Sequence, residues 1–501
     1  MRGLPSDLPD AARAYLDAFP AGELTAFPLT SLDRTGLPVW VTTLFPDDSR
    51  LAGIMPYGVG YGADEGQAIL GGLGEIAEMV QPTLALAQAK RTRGSWRELA
   101  RALGENAVAD PLTLCLPAGS PVGRDTALEW VEAVRARDGA TVLVPIELAA
   151  YSRKDLAPRY VPFTTIISNG MGAGPDVDWA LGHGLLELLQ RDGNGLLFRA
   201  LDQGVVLDLP ERPSPAARVA LDAYAAAGIA VKVKFATDEW GLCNLYCVGR
   251  EASGRGPPTP IMLTACGEAC HPDRNAALEK ALQEFAASRV RKAFAHGPAA
   301  LAERVAPPGY VARFMAGSGA NAKTGEGRAF EAMADWTTRP AEVLAGWLAD
   351  SVYAERARKP FAELPTTPAP DAWARGAIVR ERLQAGGLDP LYVDLSPPGR
   401  AIAVVKAITP GLEVETMSYH RIGERNAAKL IARDHPLVRF GQATDTLKPI
   451  RLTPEACARL GGQPLFDTAL ADRVVGPLYP LYREPEAHHV AHAPGRLARF
   501  P

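Results

Sequence analysis

One spacing, D-x3-A-x4-L-x-E, occurs three times in this 501-residue chain and constrains its fold more than any other feature. The copies are DEGQAILGGLGE (Asp64, Ala68, Leu73, Glu75), DVDWALGHGLLE (Asp176, Ala180, Leu185, Glu187) and DRNAALEKALQE (Asp273, Ala277, Leu282, Glu284). Glycines or a proline precede each one (GVGYGA, SNGMGAGP, ACGEACHP), and each runs on past its glutamate as EIAEMV, ELLQRD or EFAASR. An Asp at the head accepts hydrogen bonds from first-turn N–H groups, and the Ala and Leu positions recur at helical spacing to face a core. Eleven residues at about 100° each return the glutamate to the face of the Asp. The pattern predicts a loop, a cap and a helix, three times over. Three carboxylates brought together repel unless a cation lies between them. Oxygen-only ligands point to Mg2+, and Mg2+ commonly brings a nucleoside triphosphate. The bland alternative is three amphipathic helices whose glutamates mark the rim of the core. No G-x4-G-K-S/T run is present, so ATP would not sit on a P-loop.

Composition removes several classes. The formal net charge is -4 with no concentrated Lys/Arg run, which argues against nucleic acid as a partner. The start, MRGLPSDLPD, has no apolar signal region, and no stretch of about 18 apolar residues occurs, so no membrane association and a cytoplasmic location are expected. Six cysteines do not suggest a disulfide framework. The pairs Cys243/Cys247 and Cys266/Cys270 have apolar or glycine flanks, which favours buried thiols over a four-Cys metal site. The HHVAH segment (His488, His489, His492) reads as a polar, flexible terminus, with metal binding as its alternative.

The repeat residues make the chain resemble the YcaO family of ATP-dependent peptide-modifying enzymes. SLDRTGLPVWVTTLFPDD (Asp33, Gly36, Pro38) resembles the family's opening strand, and GYGADEGQAILGGLGEIAEM its first glycine-led helix. SNGMGAGPDVDWALGHGLLELLQRD and GEACHPDRNAALEKALQEFAASR are similar to the second and third helices. FATDEWGLCNLYCV (Thr237, Asp238) is similar to the strand pair before the third, and AVVKAITPGLEVET (Lys406, Pro410, Gly411, Leu412, Glu413) to V-K-x-x-x-P-G-L-E. The resemblance spans about residues 30–415, in order. It implies an α/β, YcaO-type fold: mixed β-sheets with helices around a central ATP/Mg cleft, built from pseudo-repeated loop–helix units.

The resemblance further implies Mg2+ and ATP phosphates held by E-x-x-E pairs, here Glu75 with Glu78 and Glu187 with Gln190, where a Glu is usual. Asn169, Arg191 and Asp192 match family positions, as do Glu284 and Arg289 on the third helix. Ala287 replaces a usual Gln, Gly71 a common Ser and Lys280 a common Arg. A Gln still coordinates through its carbonyl oxygen but removes one negative charge; an Ala cannot replace a Gln that binds phosphate or base. Glu75, Glu78, Glu187 and Glu284 are expected to converge on one cleft. Arg191, Lys280 and Arg289 are candidate electrostatic helpers in catalysis, or else surface charges. His183 and His271 are weak general-base candidates, because a lone His is more often structural.

The chemistry implied is ATP-dependent activation of a peptide backbone amide in the maturation of a ribosomally synthesised, post-translationally modified peptide. Heterocyclisation of Cys, Ser or Thr to azolines leads, with thioamide formation through a sulfur-delivering partner, or amidine formation, as alternatives. Gln190 and Ala287 motivate a rival, a catalytically degenerate fold that binds a peptide or partner; an unrelated metal-dependent ligase fits the ordered motifs poorly. The implied partners are a ribosomal precursor peptide, a separate leader-peptide-binding protein (E1-like/ocin-type or TfuA-like) and a second copy in a homodimer. The expected organisation is an N-terminal segment 1–29, a YcaO-like catalytic domain 30–420 and a C-terminal extension 421–501 that wraps on the core. ATVLVPIELA, VKVKFAT and PLYVDLS read as strands. The ending APGRLARFP (Pro494, Pro501) lacks the alternating prolines of azoline-forming members, which weighs against that specific product.

Overall fold

Each copy of the repeat folds as a strand, a turn and a helix. In the computed structural model, which describes residues 3–5, 8–252, 256–318, 327–399 and 401–492, these are β1 (Tyr57–Tyr61) with α1 (Glu65–Leu86), β2 (Met171–Gly174) with α2 (Val177–Asn194), and β3 (Gly267–His271) with α3 (Arg274–His296). The APGRLARFP ending lies outside the described residues. The caps form as the spacing predicts. Asp64, Asp176 and Asp273 accept the N–H groups of Gln67 at 2.8 Å, Trp179 at 2.9 Å and Asn275 at 2.8 Å. Ala68, Leu73, Ala180, Leu185, Ala277 and Leu282 are fully buried.

The glycines before each helix have a shared steric reason. A Cβ on Gly60, Gly172 or Gly267 would lie 1.8, 2.1 or 2.0 Å from the carbonyl oxygen of Ala68, Ala180 or Ala281. Only a residue without a side chain lets each strand lie flush on its helix backbone.

The chain divides into two compact units, residues 1–80, 198–368 and 477–501 in one and 81–197 with 369–476 in the other. The first unit holds two sheets. One is antiparallel, with Gly22–Pro28, Val39–Pro46 and β1 in that order; the other runs β3, Cys243–Glu251, Ile229–Thr237, Val205–Asp208 and Ala357–Pro360, the last pair parallel. Along α3, Leu278, Leu282 and Phe285 pack with Tyr224, Leu245 and Cys247, while Val290 and Phe294 pack with Phe27, Leu29 and Phe314. Most of the helix is therefore apolar and covered. In the second unit an antiparallel sheet runs Thr92–Ser95, Ala127–Arg135, Leu391–Asp394, Ala403–Ile408 and β2, and Thr141–Pro145 also pairs with Ala127–Arg135. The strand-like runs of the sequence appear here and in the first unit as Thr141–Pro145, Ile229–Thr237 and Leu391–Asp394.

Three cysteines, Cys243, Cys247 and Cys270, are buried and Cys266 is half-buried, and burial raises the thiols of Cys243, Cys247 and Cys266 above their ordinary range. Cys243, Cys247 and Cys270 are core residues of neighbouring strands, and Cys266 directly precedes β3.

The HHVAH segment departs from expectation. His488 and His489 are buried, not part of a flexible polar end. The His488 N–H donates to the Ala295 carbonyl at 2.7 Å, and its ring meets Phe294, Phe314 and Tyr310 edge-on with centroids 4.7, 5.2 and 6.2 Å away. His489 pairs with the Ser318 hydroxyl at 2.8 Å. Just upstream, Glu484 binds Lys292 at 2.7 Å, His296 at 3.0 Å and Arg291, which anchors this segment to α3. Polar composition misleads because the partners lie some 170 to 200 residues earlier in the chain.

Burial lowers the His488 imidazole from 6.5 to about 3. Between those values the unfolded chain takes up a proton that the folded chain refuses, so stability is full above about pH 6.5 and falls as pH drops, by up to about 1.4 kcal/mol per pH unit. Chemical denaturation from pH 7.5 to 4.5 is expected to show this loss, and His488→Leu is expected to flatten it.

Candidate functional site

Each repeat glutamate does the same thing. Glu75 accepts the Val59 N–H at 3.0 Å, Glu187 the Gly170 N–H at 2.8 Å and Glu284 the Glu268 N–H at 3.2 Å. Val59 and Glu268 lie in β1 and β3, and Gly170 directly precedes β2; all three strands are at a sheet edge. An edge strand turns N–H groups away from its ladder, and a buried N–H needs an acceptor. The glutamate on the following helix supplies it. The three helices thus carry their glutamates at nearly the same offset from the preceding strand, 16, 17 and 16 residues after the donor.

In the first unit, β1 also reaches the third repeat, because the Tyr61 hydroxyl donates to Glu284 at 2.9 Å. Glu75 and Glu284 are therefore brought to one strand. Glu284 has both carboxylate oxygens engaged by the protein, Oε1 by Glu268 and Oε2 by Tyr61. Glu78 is half-buried on α1, and its charge, after burial, raises the phenol of Tyr15. Lys280 is half-buried on α3 and makes no ion pair among the described residues.

Arg289 is fully buried. Its guanidinium donates to Asp33 at 2.6 and 3.2 Å and to Glu251 at 2.8 Å. Although burial opposes the charge, the Asp33 and Glu251 carboxylates hold its pKa above the ordinary arginine value. The structure gives this residue a scaffold role, tying the Asp33 loop and the Cys243–Glu251 strand to α3. Ala287, two residues earlier, is buried in the cluster of Phe27, Val41 and Phe294, so a small apolar side chain suits that position. His271 Nδ1 accepts the Asp273 N–H at 2.9 Å in the turn before α3, a structural task.

In the second unit, α2 carries Glu187, Gln190 and Arg191. Gln190 is 3 % exposed, and Arg191 reaches the Glu187 carboxylate at 3.7 Å. Asn169, buried in the loop before β2, donates to Glu415 at 3.0 Å. Asp192 accepts the Glu413 N–H at 2.7 Å and Arg425 at 2.6 Å, and Glu413 in turn accepts the N–H groups of Gly423 and Asn426. The P-G-L-E run is thereby fastened to α2 and to the start of the helix Glu424–Ile431. His183 stacks on Trp179 with centroids 5.6 Å apart.

Among the described residues, no three His, Cys, Asp or Glu side chains gather into a preformed metal cluster. Glu75 and Glu78 belong to the first unit, Glu187 and Gln190 to the second. Their donor chemistry nonetheless suits Mg2+: carboxylate and amide oxygens are hard ligands. One N–H occupies only one of the roughly four lone-pair positions of a carboxylate, so Glu75 and Glu187 are oriented without being saturated by it.

A family model described as YcaO cyclodehydratase, ATP- and Mg2+-binding, matches residues 59–413. The chain belongs to the YcaO family, and ATP and Mg2+ are the cofactors of that family. A protein of Methanothermobacter thermautotrophicus described as uncharacterised is 25% identical over 316 residues, covering 63% of this chain and 73% of that one. A heterocyclase in complex with substrate and cofactor superposes with a TM-score of 0.60 at 18% identity, over 85% of this chain and 55% of that one. YcaO from Methanopyrus kandleri, bound with AMPPCP and Mg2+, gives 0.54 at 18% over 82% and 91%, and the heterocyclase TruD 0.52 at 18% over 74% and 50%. The fold is shared with all three. The chain spans about half the length of the two heterocyclases. Among the described residues no helix is long and apolar enough to cross a membrane.

Breaking a buried ion network by removing one partner costs about 3–5 kcal/mol, because the other charge is stranded. Arg289→Met is therefore expected to lower stability by that amount in urea unfolding without nucleotide. A variant of unchanged stability with weakened ATP binding would move Arg289 into the nucleotide site instead.

Proposed function

We propose that this chain is an ATP-dependent enzyme that activates backbone amides of a ribosomally made precursor peptide, forming azolines from Cys, Ser or Thr. The observation that carries the proposal is the equivalence of Glu75 and Glu187. Both are fixed by a backbone N–H in or directly before the strand that leads into their helix, in a chain of the YcaO family. ATP bound with Mg2+ supplies the phosphoryl group that makes an amide oxygen a leaving group.

The chain's own groups bind and orient. Glu75, Glu78, Glu187 and Gln190 would hold the ion and the phosphates, with Asn169 in the same binding set, whereas Glu284, both of whose carboxylate oxygens are engaged by the protein, serves the scaffold. Arg191 and Lys280 would offset negative charge on the phosphates of bound ATP. Arg289 acts through the scaffold. A leader-binding partner protein delivers the peptide.

Gln190 is the informative position. A neutral amide leaves the ion one negative charge short, yet a carboxylate there would be buried with a desolvation penalty. Gln190→Glu is therefore expected to melt earlier than wild type without ligand and to gain more from Mg-ATP, read as a larger ligand-induced rise in Tm. An equal rise in both proteins would mean that this side chain is not a ligand.

The product is read by mass spectrometry of a precursor peptide incubated with the chain, its leader-binding partner and ATP. Loss of one water per modified residue is the expected outcome. Exchange of one oxygen for sulfur would make the chain a thioamide-forming enzyme, and an unchanged peptide with no ATP consumed would make it a binding protein of the same fold.

A further inference from the structure

The second unit contains a cavity of about 60 Å³ whose polar lining is assigned to no step of the reaction proposed above, apart from Asn169 at one side. Glu147, Thr164, Thr165, Lys406, Thr409 and Arg421 supply the rest of that polar lining. Glu147, 2 % exposed, is saturated from one direction: it accepts the Tyr160 hydroxyl at 2.8 Å and the N–H groups of Phe163 and Thr164, each at 3.1 Å. That carboxyl latches the 160–164 loop onto the cavity wall. Lys406 donates to the Ile167 carbonyl at 2.8 Å.

Arg421 is the anomaly. It is 5 % exposed, and its Nε and Nη2 donate to the neutral carbonyls of Cys115 at 2.9 Å and Leu114 at 3.5 Å. Its Nη1 is buried with no partner among the described residues, and it makes no ion pair among them. The hydroxyls of Thr164 and Thr409 are likewise buried and without a partner there. A buried guanidinium without an anion is costly, and so is each unpaired donor. Burial also pushes Glu147 up to about 7, so near neutrality its carboxyl is about half protonated and offsets only part of the positive charge.

We propose that this cavity binds a small oxyanion, a carboxylate or a phosphate, through Arg421 Nη1 and the hydroxyls of Thr164 and Thr409. At roughly 15 Å³ per water-sized probe the space holds about four heavy atoms, the size of such a group and too small for a nucleotide. The two sources are a carboxyl group of a peptide and free phosphate. This site is independent of the nucleotide reading, since none of its three donors is assigned to ATP.

The test is calorimetric and thermal-shift titration of the full chain with sodium acetate and, separately, inorganic phosphate, with AMPPCP and Mg2+ present throughout. Sodium chloride at matched ionic strength is the reference. Saturable binding of acetate alone identifies a carboxylate site, and of phosphate alone a phosphate site. Thr164→Val with Thr409→Val, which keeps side-chain shape, is expected to weaken that binding at least tenfold while leaving the unliganded Tm unchanged or higher. Thr409→Val alone serves if the pair does not fold. Neither anion saturating, chloride matching both, or the variants binding like wild type would overturn the proposal and leave water as the occupant.

Discussion

A glutamate reaching from a helix to an edge-strand N–H is the interaction on which this structure turns. It occurs at Glu75, Glu187 and Glu284 with N···O distances of 2.8–3.2 Å, each time across a strand glycine that admits the helix backbone. The bond satisfies a donor that the ladder cannot, and it leaves the carboxylate charge intact. A side chain held this way has little rotamer freedom left to lose. The same geometry built three times then diverges. Tyr61 closes the Glu284 carboxylate from its second side. Glu75 is the exposed member of the set.

Around these units lie buried ion networks that fix loops distant in sequence. Arg289 gathers Asp33 and Glu251, and Glu484 gathers Arg291, Lys292 and His296. Such pairs add little net stability over an apolar core of the same shape, but they punish any other arrangement, because a stranded charge is expensive. In this chain they anchor the loop before Val39–Pro46 and the segment that ends in His488.

The repeat was fully legible in the sequence, because caps, buried Ala and Leu, and helix lengths depend on residues a few positions apart. The bond each glutamate makes to a backbone N–H was not, because its partner lies 16 or 17 residues earlier, across a turn, and Asp-to-Glu spacing carries no sign of it. Arg289 matched a family position, yet its partner Asp33 lies 256 residues away and no local pattern announces the pair. HHVAH looked solvated because composition cannot register an aromatic box assembled from Phe294, Tyr310 and Phe314. Nothing marked Arg421, Thr164 and Thr409 as neighbours, since they come from three separate segments joined only by folding.

The central claim is that Glu75 and Glu187 hold Mg2+ and nucleotide while Glu284 serves the scaffold. Calorimetry of AMPPCP with Mg2+ against Glu75→Gln, Glu187→Gln and Glu284→Gln tests it directly, because a Gln still accepts the strand N–H and changes only the charge. The account predicts that the first two variants lose at least tenfold in affinity, about 1.4 kcal/mol or more, and that Glu284→Gln binds within a few-fold of wild type. Wild-type affinity in Glu75→Gln and Glu187→Gln would contradict it.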